Sequence, residues 1–246
     1  MLYLLVAIAL ILLAIVLFLN FNPQFGGRID KQEKDKLSKS PQWNGKVFEN
    51  QIETLMDIGP SKIPGLLKKQ LFDTEGRSPK EPIPIILFDS AKWEEDDKPK
   101  FIWYGHSVLL LKLEGKTILI DPMLGPTAAP VAPFAIKRFS ENSLAIIDSL
   151  PQLDAILITH DHYDHLDLAS IKRLKGKTNK WLVALGVKRH LVRWNIPLEQ
   201  IQEFDWWDKT ELGNIKLTFT PSRHFSGRGI SDRAKSLWGG WVFKTE

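Results

Sequence analysis

The segment His160–His165, with the sequence HDHYDH, holds the densest cluster of metal-binding side chains in the chain. It contains three of the six histidines together with two aspartates. His160 and His162 are two positions apart, so in an extended backbone their imidazoles leave on the same side and can bind one ion. Asp164 and His165 follow directly and can turn toward a second ion. The pattern therefore predicts a site for two metal ions.

The available ligand types narrow the choice of metal. Imidazole and carboxylate ligands without thiolate suit zinc best, and iron or manganese is possible. The chain has no cysteine, which excludes disulfides, thiolate metal sites and a cysteine nucleophile. A solvated loop that happens to be rich in histidine is the alternative interpretation. The order and spacing of the ligands behind an apolar strand favour the metal site.

The elements around this segment predict a layered α/β domain. The run Ala155–Thr159 is apolar and β-branched, which indicates a buried strand, and a strand exit is a rigid place for ligands. Two further strands joined by Glu114–Gly115 form a predicted hairpin. Two sheets flanked by helices are expected, with a Pro-rich loop over 122–134, strands over 101–104, 108–113, 116–121, 181–185 and 215–220, and helices over 145–150, 168–174 and 187–194.

Three other stretches accompany the HxHxDH segment: Trp103–Ser107 (WYGHS), Pro221–Gly229 (PSRHFSGRG) and Leu237–Trp241 (LWGGW). Together they resemble the metallo-β-lactamase fold, and within it the branch of N-acylphosphatidylethanolamine-hydrolysing phospholipases D and their bacterial relatives. The similarity runs from about residue 100 to residue 242. It implies an α/β (α+β) fold, the αββα sandwich of that family.

The resemblance implies a division of the ligands between two zinc ions. His160, His162 and His224 would bind the first ion, and Asp164 and His165 the second. Asp164 is also the candidate catalytic residue.

The resemblance and the strand positions assign further residues around these ligands. Tyr163, between the ligands, would face the substrate phosphate. His106 and Asp121 are expected to support the ligands by hydrogen bonding, although a purely structural role for His106 is equally open. Asp161 is expected to point away from the metals, and His190, between basic residues of a predicted helix, to lie on the surface.

The family also uses an aspartate that bridges both metals and a last histidine, and neither follows before Glu246. We therefore expect a sandwich that lacks its C-terminal part and a chain that is inactive by itself.

The N-terminal segment predicts a membrane anchor. Residues 1–21 are apolar except for Asn20, and a helix of about 20 residues spans about 30 Å, enough to cross a bilayer. A cleaved signal peptide is the alternative. The basic residues that follow the span favour a cytoplasmic domain by the positive-inside rule.

Residues 22–98 are expected to form a linker and N-terminal extension before a domain over residues 99–246. A short helix is predicted near residues 50–58. The apolar and basic stretch 63–72 would either lie in the membrane interface or pack on the domain.

The functional expectation follows from the resemblance. It implies a zinc-dependent phosphodiester hydrolase in which a metal-bound hydroxide cleaves N-acylphosphatidylethanolamine, a phospholipid, into N-acylethanolamine and phosphatidic acid. A lactonase or nuclease of the same fold, and a non-catalytic membrane-tethered protein, are the alternatives. The net charge is only +4, and the lysine and arginine residues are scattered along the chain, so no nucleic-acid partner is expected.

Overall fold

A six-stranded mixed sheet carries the predicted metal loop. The computed structural model describes residues 1–54, 60–73, 75–130 and 136–246. The strands lie in the order β1 to β6 across the sheet, with β1 to β3 antiparallel and β3 to β6 parallel. Their bounds are β1 Lys100–Trp103, β2 Leu109–Leu113, β3 Lys116–Ile120, β4 Ala155–Ile158, β5 Trp181–Ala184 and β6 Ile201–Phe204.

The central strands of this sheet are apolar because they are covered on both faces. All four residues of β4 and all four of β5 are buried. The predicted hairpin of β2 and β3 is confirmed, with Leu109 opposite Ile120. Glu114 and Gly115 both have positive φ at its turn, as a two-residue hairpin turn requires.

A second, three-stranded antiparallel sheet completes the two-sheet arrangement. It comprises β7 Lys209–Leu212, β8 Ile215–Thr220 and β9 Gly240–Lys244, with β8 in the centre. Alternate residues of β8 are fully buried, namely Ile215, Leu217 and Phe219. The predicted helices are present as α5 Ile146–Ser149, α6 Leu168–Leu174 and α7 Lys188–Arg193. Their numbers start at five because α1 to α4, described next, come earlier in the chain.

Among the described residues, four α-helices precede the sheets: α1 Leu2–Phe21, α2 Lys31–Leu37, α3 Ile63–Phe72 and α4 Ser90–Glu94. Helix α1 has no buried residue and is long and apolar enough to cross a membrane. The apolar side chains of α3 are also exposed, for example Leu71 at 67% and Phe72 at 78%. The packing of α3 on the domain, which was one of the two expectations for it, is therefore not what the structure shows.

The segment expected to be a linker contributes to the core. Leu37, Phe48 and Trp93 belong to the same buried cluster as the strands of both sheets. In place of the helix predicted near residues 50–58, residues 50–54 are non-helical, and the rest of that prediction lies outside the described residues. The same holds for residues 131–134 of the predicted Pro-rich loop.

Candidate metal centre

The HDHYDH segment forms a tight loop between β4 and α6. The carbonyl of His162 accepts hydrogen bonds from the N–H groups of His165 and Leu166, which reverses the chain. Leu166 is fully buried and anchors the turn. Asp167 caps α6 by accepting the N–H groups of Ala169 and Ser170. A buried strand and a capped helix thus hold the loop at both ends.

Three histidines converge on one point. His160 Nε2 lies 3.0 Å from His162 Nδ1, and His224 Nε2 lies 3.1 and 3.2 Å from these two atoms. Nitrogen ligands at the usual zinc distance in tetrahedral geometry would stand about 3.3 Å apart. Three imidazole nitrogens at this spacing fit a bound cation, to which each could present its lone pair.

The surroundings keep these imidazoles neutral. Burial lowers the pKa of His160 to about 2, and the neighbouring histidines add to the effect. Burial also lowers the pKa values of His162 and His224. Neutral imidazoles are the form that binds metal, so the trio is ready to act as a ligand set without losing protons.

A hydrogen-bond chain behind the ligands sets which nitrogen faces the centre. The Asp121 carboxylate accepts three hydrogen bonds: from the Thr159 N–H at 2.8 Å, from the Thr159 hydroxyl at 2.7 Å and from His165 Nδ1 at 2.9 Å. Because the Thr159 hydroxyl donates to the carboxylate, its oxygen is free to accept from His160 Nδ1, 3.0 Å away. Nε2 of both histidines is thereby left for metal. Asp121 is thus placed to orient the histidines, and its supporting role stays a prediction.

A second group of possible ligands adjoins the first. Suitable atoms of His106, Asp164 and His165 all lie within 4.8 Å of one another, and the rings of His160 and His165 are 4.1 Å apart. Burial alone would lower the pKa of His165, but the hydrogen bond to Asp121 and the charges of Asp121 and Asp164 together raise that pKa.

His106 is closer to this group than the sequence suggested. It was expected either to support ligands by hydrogen bonding or to have a purely structural role, whereas its Nε2 lies 2.9 Å from the Asp164 carboxylate, where it could itself bind a metal ion. His106 and Asp121 both have positive φ, an uncommon conformation that concentrates at functional sites.

The N-terminal segment places His224. Asn50 accepts the N–H of His224 at 3.1 Å and donates to its carbonyl at 2.9 Å, and its side-chain oxygen also accepts from the Trp238 indole. The ring of Phe225 packs edge-on against His162. Sequence reasoning missed Asn50, since nothing in its local pattern marks it.

Tyr163 lies at the edge of the site with its hydroxyl already engaged. It donates to the Arg228 carbonyl at 2.7 Å, and the Arg228 guanidinium lies 4.0 Å from the ring centre. Burial raises the pKa of Tyr163 to about 12, so it stays protonated. Its ring lines the cavity described next, but its proton points to the protein.

An apolar cavity of about 790 Å³ opens beside the second ligand group. His106, His162 and Asp164 form part of its wall. Most of the remaining wall is aliphatic or aromatic, including Ile85, Ile102, Tyr104, Met123 and Ile146.

His190 corrects the sequence prediction. It was expected on the surface, but it is fully buried against Asp161, which points away from the ligands as expected. Burial lowers the pKa of His190 to about 3. Its partners come from distant segments, so the basic residues around it in sequence were misleading.

The comparison with known families agrees with this geometry. The model of the β-lactamase superfamily domain matches residues 116–246, more than half of the chain. The chain belongs to the β-lactamase superfamily. The family and fold predicted from the HxHxDH segment are thereby confirmed.

Several relatives of this superfamily member are characterised to different degrees. An uncharacterised protein of Mycobacterium tuberculosis is 37% identical over 142 residues, which are 57% of this chain and 38% of that protein. The N-acyl-phosphatidylethanolamine-hydrolyzing phospholipase D 1 of Caenorhabditis elegans is 28% identical over 224 residues, covering 85% of this chain and 63% of that enzyme. The mitochondrial enzyme of that name from Saccharomyces cerevisiae is 31% identical over 146 residues, covering 55% of this chain and 29% of its own length.

The chain thus spans less than two thirds of the length of each of these three relatives, from 29% to 63%. Among solved structures, a metallo-hydrolase of the archaeon Ignicoccus hospitalis aligns with a TM-score of 0.44 and 21% identity, covering 60% of this chain and 56% of that one.

Proposed function

We propose that this β-lactamase superfamily protein is a membrane-anchored, zinc-dependent phosphodiester hydrolase of the phospholipase D type, acting on N-acylphosphatidylethanolamine. The observation that carries the proposal is the apolar cavity whose wall includes His162 of the first ligand group and His106 and Asp164 of the second. A cavity of this size and lining suits a long-chain lipid, with its polar group held at the metal end. The names of the nematode and yeast relatives support the same substrate class.

The chain's own residues supply the binding site and its orientation. His160, His162 and His224 would hold the first ion, and Asp164 and His165, with His106, the second. Metal bound there supplies a Lewis acid and activates water near neutral pH. No protein nucleophile is required.

The residues around the ligands prepare the site for this substrate. Asp121 fixes the imidazoles through the hydrogen bonds described above. Arg138 also lines the cavity, and its guanidinium, which donates to the carbonyls of Met123 and Tyr104, would place a positive charge near an anionic substrate group. The Tyr163 ring shapes the wall next to the ligands.

The exposed surface near the cavity supports a substrate that enters from a bilayer. Ile86, Trp103 and Ile136 line the cavity and are also exposed, at 81%, 65% and 62%. Large exposed apolar groups rarely cluster on a monomer without a partner. Helix α1 would keep this face near the membrane, with the domain on the cytoplasmic side.

The test is hydrolysis of N-acylphosphatidylethanolamine in vesicles by the zinc-loaded, membrane-embedded protein in a form that carries the bridging aspartate and the last histidine implied by the resemblance, because the 246-residue chain by itself is expected to be inactive. Mass spectrometry should detect N-acylethanolamine and phosphatidic acid in equal amounts, and neither product should form with His162→Ala. Release of fatty acid instead would point to an acyl hydrolase. Hydrolysis of a lactone or of nucleic acid, with no turnover of the phospholipid, would overturn the substrate assignment.

A further inference from the structure

The segment that follows helix α1 is linked to the metal loop by hydrogen bonds through buried side chains. His190, on α7, lies between the two: the backbone N–H of Gly27 donates to its Nδ1 at 3.1 Å, and its Nε2 is 3.2 Å from Asp161 Oδ2. Because Nδ1 accepts a hydrogen bond, the proton of the neutral ring must sit on Nε2 and point to the carboxylate. His190 thus connects residue 27 to a residue that lies between two ligands.

Asp161 is a buried anion with a full set of partners. It is fully buried, and besides His190 it accepts hydrogen bonds from the Gly227 N–H at 2.7 Å and from the Ser236 hydroxyl. Burial alone would raise the pKa of Asp161, but the hydrogen bond from His190 and the nearby Arg189 charge hold it well below its usual range. A buried carboxylate held from three directions fixes the backbone on which His160 and His162 are mounted.

Arg228 makes a second connection between the same two segments. Its Nε and Nη2 donate to the Gln24 carbonyl at 3.1 and 2.9 Å, and its Nη1 donates to the carbonyls of Asp161 and Leu166 at 2.8 and 2.6 Å. The guanidinium lies between the rings of Tyr163 and Trp194. One side chain therefore links residue 24 to both ends of the ligand loop.

The close approach leaves no room for larger residues at the contact. A Cβ at Gly27 would lie 2.1 Å from the Arg189 carbonyl oxygen, which is backbone and cannot move aside. A Cβ at Gly26 would lie 1.9 Å from His190 Nδ1, and Gly26 has a φ of +72°. The two glycines allow the segment to reach His190.

We infer that His190 and Arg228 are positioning residues that couple the segment Gln24–Gly27 to the metal loop, so that the docking of this segment sets the metal affinity of the His160, His162 and His224 site. None of the segment's residues is a ligand. The coupling acts through the Asp161 backbone, which carries both of the loop's first-site ligands. The inference concerns metal binding alone, so it can hold whether or not the proposed phospholipid is the substrate.

The test measures Co²⁺ binding by the full chain in detergent, by competition with a chromophoric chelator and by the visible spectrum of the bound ion. Gly27→Ala should weaken binding at the first site by about 10- to 100-fold, the usual effect of disturbing groups that orient ligands, and should change the spectrum. Gly65→Ala is the matched control, because a Cβ at Gly65 meets nothing within 4 Å.

A second pair of variants separates positioning from general destabilisation. His190→Leu should reproduce the Gly27→Ala result, and His190→Gln, which keeps a donor toward Asp161, should restore affinity to within a few-fold. Leu191→Ala removes a fully buried side chain of the same helix and should lower thermal stability with an unchanged Co²⁺ spectrum. Wild-type affinity and spectrum in Gly27→Ala would overturn the inference, and so would an equal loss of affinity in Leu191→Ala.

Discussion

Asp121→Asn is the sharpest test of how the histidines are oriented. The substitution is nearly isosteric, and the amide oxygen can still accept the Thr159 N–H. The NH₂ group, however, replaces the oxygen that now accepts from the Thr159 hydroxyl and from His165 Nδ1. Two donors would then face each other across the 2.9 Å contact with His165. His165 can relieve this only by moving its proton to Nε2, which takes that nitrogen's lone pair away from the second site.

The expected loss of metal affinity in Asp121→Asn follows from the hydrogen bond to His165 that the substitution removes. Groups that orient a metal-bound histidine typically contribute 10- to 100-fold in affinity, about 1.4–2.8 kcal/mol, and we expect that loss at the second site. His160 can keep its hydrogen bond to the Thr159 oxygen, so the first site should change by only a few-fold. Since Asp121 is only 2% exposed, the metal-free protein should also lose about 1–3 kcal/mol of unfolding free energy for the unfavourable contact.

Zinc titration with a competing chelator gives both affinities, and urea unfolding of the metal-free form gives the stability. Asp154→Asn is the control, because Asp154 likewise accepts a backbone N–H and a side-chain hydrogen bond, from Thr117 and Lys116, but contacts no histidine. Asp154→Asn should leave both affinities intact. If Asp121→Asn binds two zinc ions as tightly as the wild type does, the assigned tautomers are wrong.

Other predictions concern the ligands, the anchor and the core. His162→Ala should lower the zinc content by about one ion per chain with the fold retained, as read by elemental analysis and circular dichroism; unchanged zinc content would contradict its assignment as a ligand. Deletion of residues 2–21 should release the protein from membranes in cell fractionation, whereas processing of the wild type after this run would indicate a signal peptide. Leu157→Ala, in the fully buried β4, should cost about 2–5 kcal/mol of unfolding free energy in urea, and Leu198→Ala, 59% exposed, less than about 0.5 kcal/mol.

The sequence predicts the elements whose own residues carry the structural signal. Strand β4 is apolar because both of its faces are buried, and β8 alternates because one of its faces is buried. Strands β6 and β7, with the sequences IQEF and KTEL, went unpredicted because neither is apolar or cleanly alternating. These segments are strands because β6 pairs with β5 and β7 pairs with β8. A prediction from a few neighbouring residues does not include such pairing partners.

The same limit applies to the site. The spacing of His160 and His162 indicated a shared metal, but His224 joined them only through the family resemblance. Its place depends on Asn50, which is distant in sequence. His190 was misjudged for a related reason. Its neighbours in sequence are basic, whereas its contacts are a buried carboxylate and a glycine backbone from other segments.

The hydrogen bonds of the N-terminal segment bear on how the molecule is organised. Asn50 holds the backbone of His224, and Gly27 holds the ring of His190, so both connections to the first ligand group begin before the first strand. The domain boundary near residue 99 stays a prediction, but residues 24–50 supply contacts that the ligand loop cannot replace from within itself. Since the same residues follow α1 directly, a helix held in a bilayer would fix the orientation of the metal centre relative to the lipid surface. Under the proposed function, the apolar cavity beside that centre would then receive its lipid substrate without the domain having to turn.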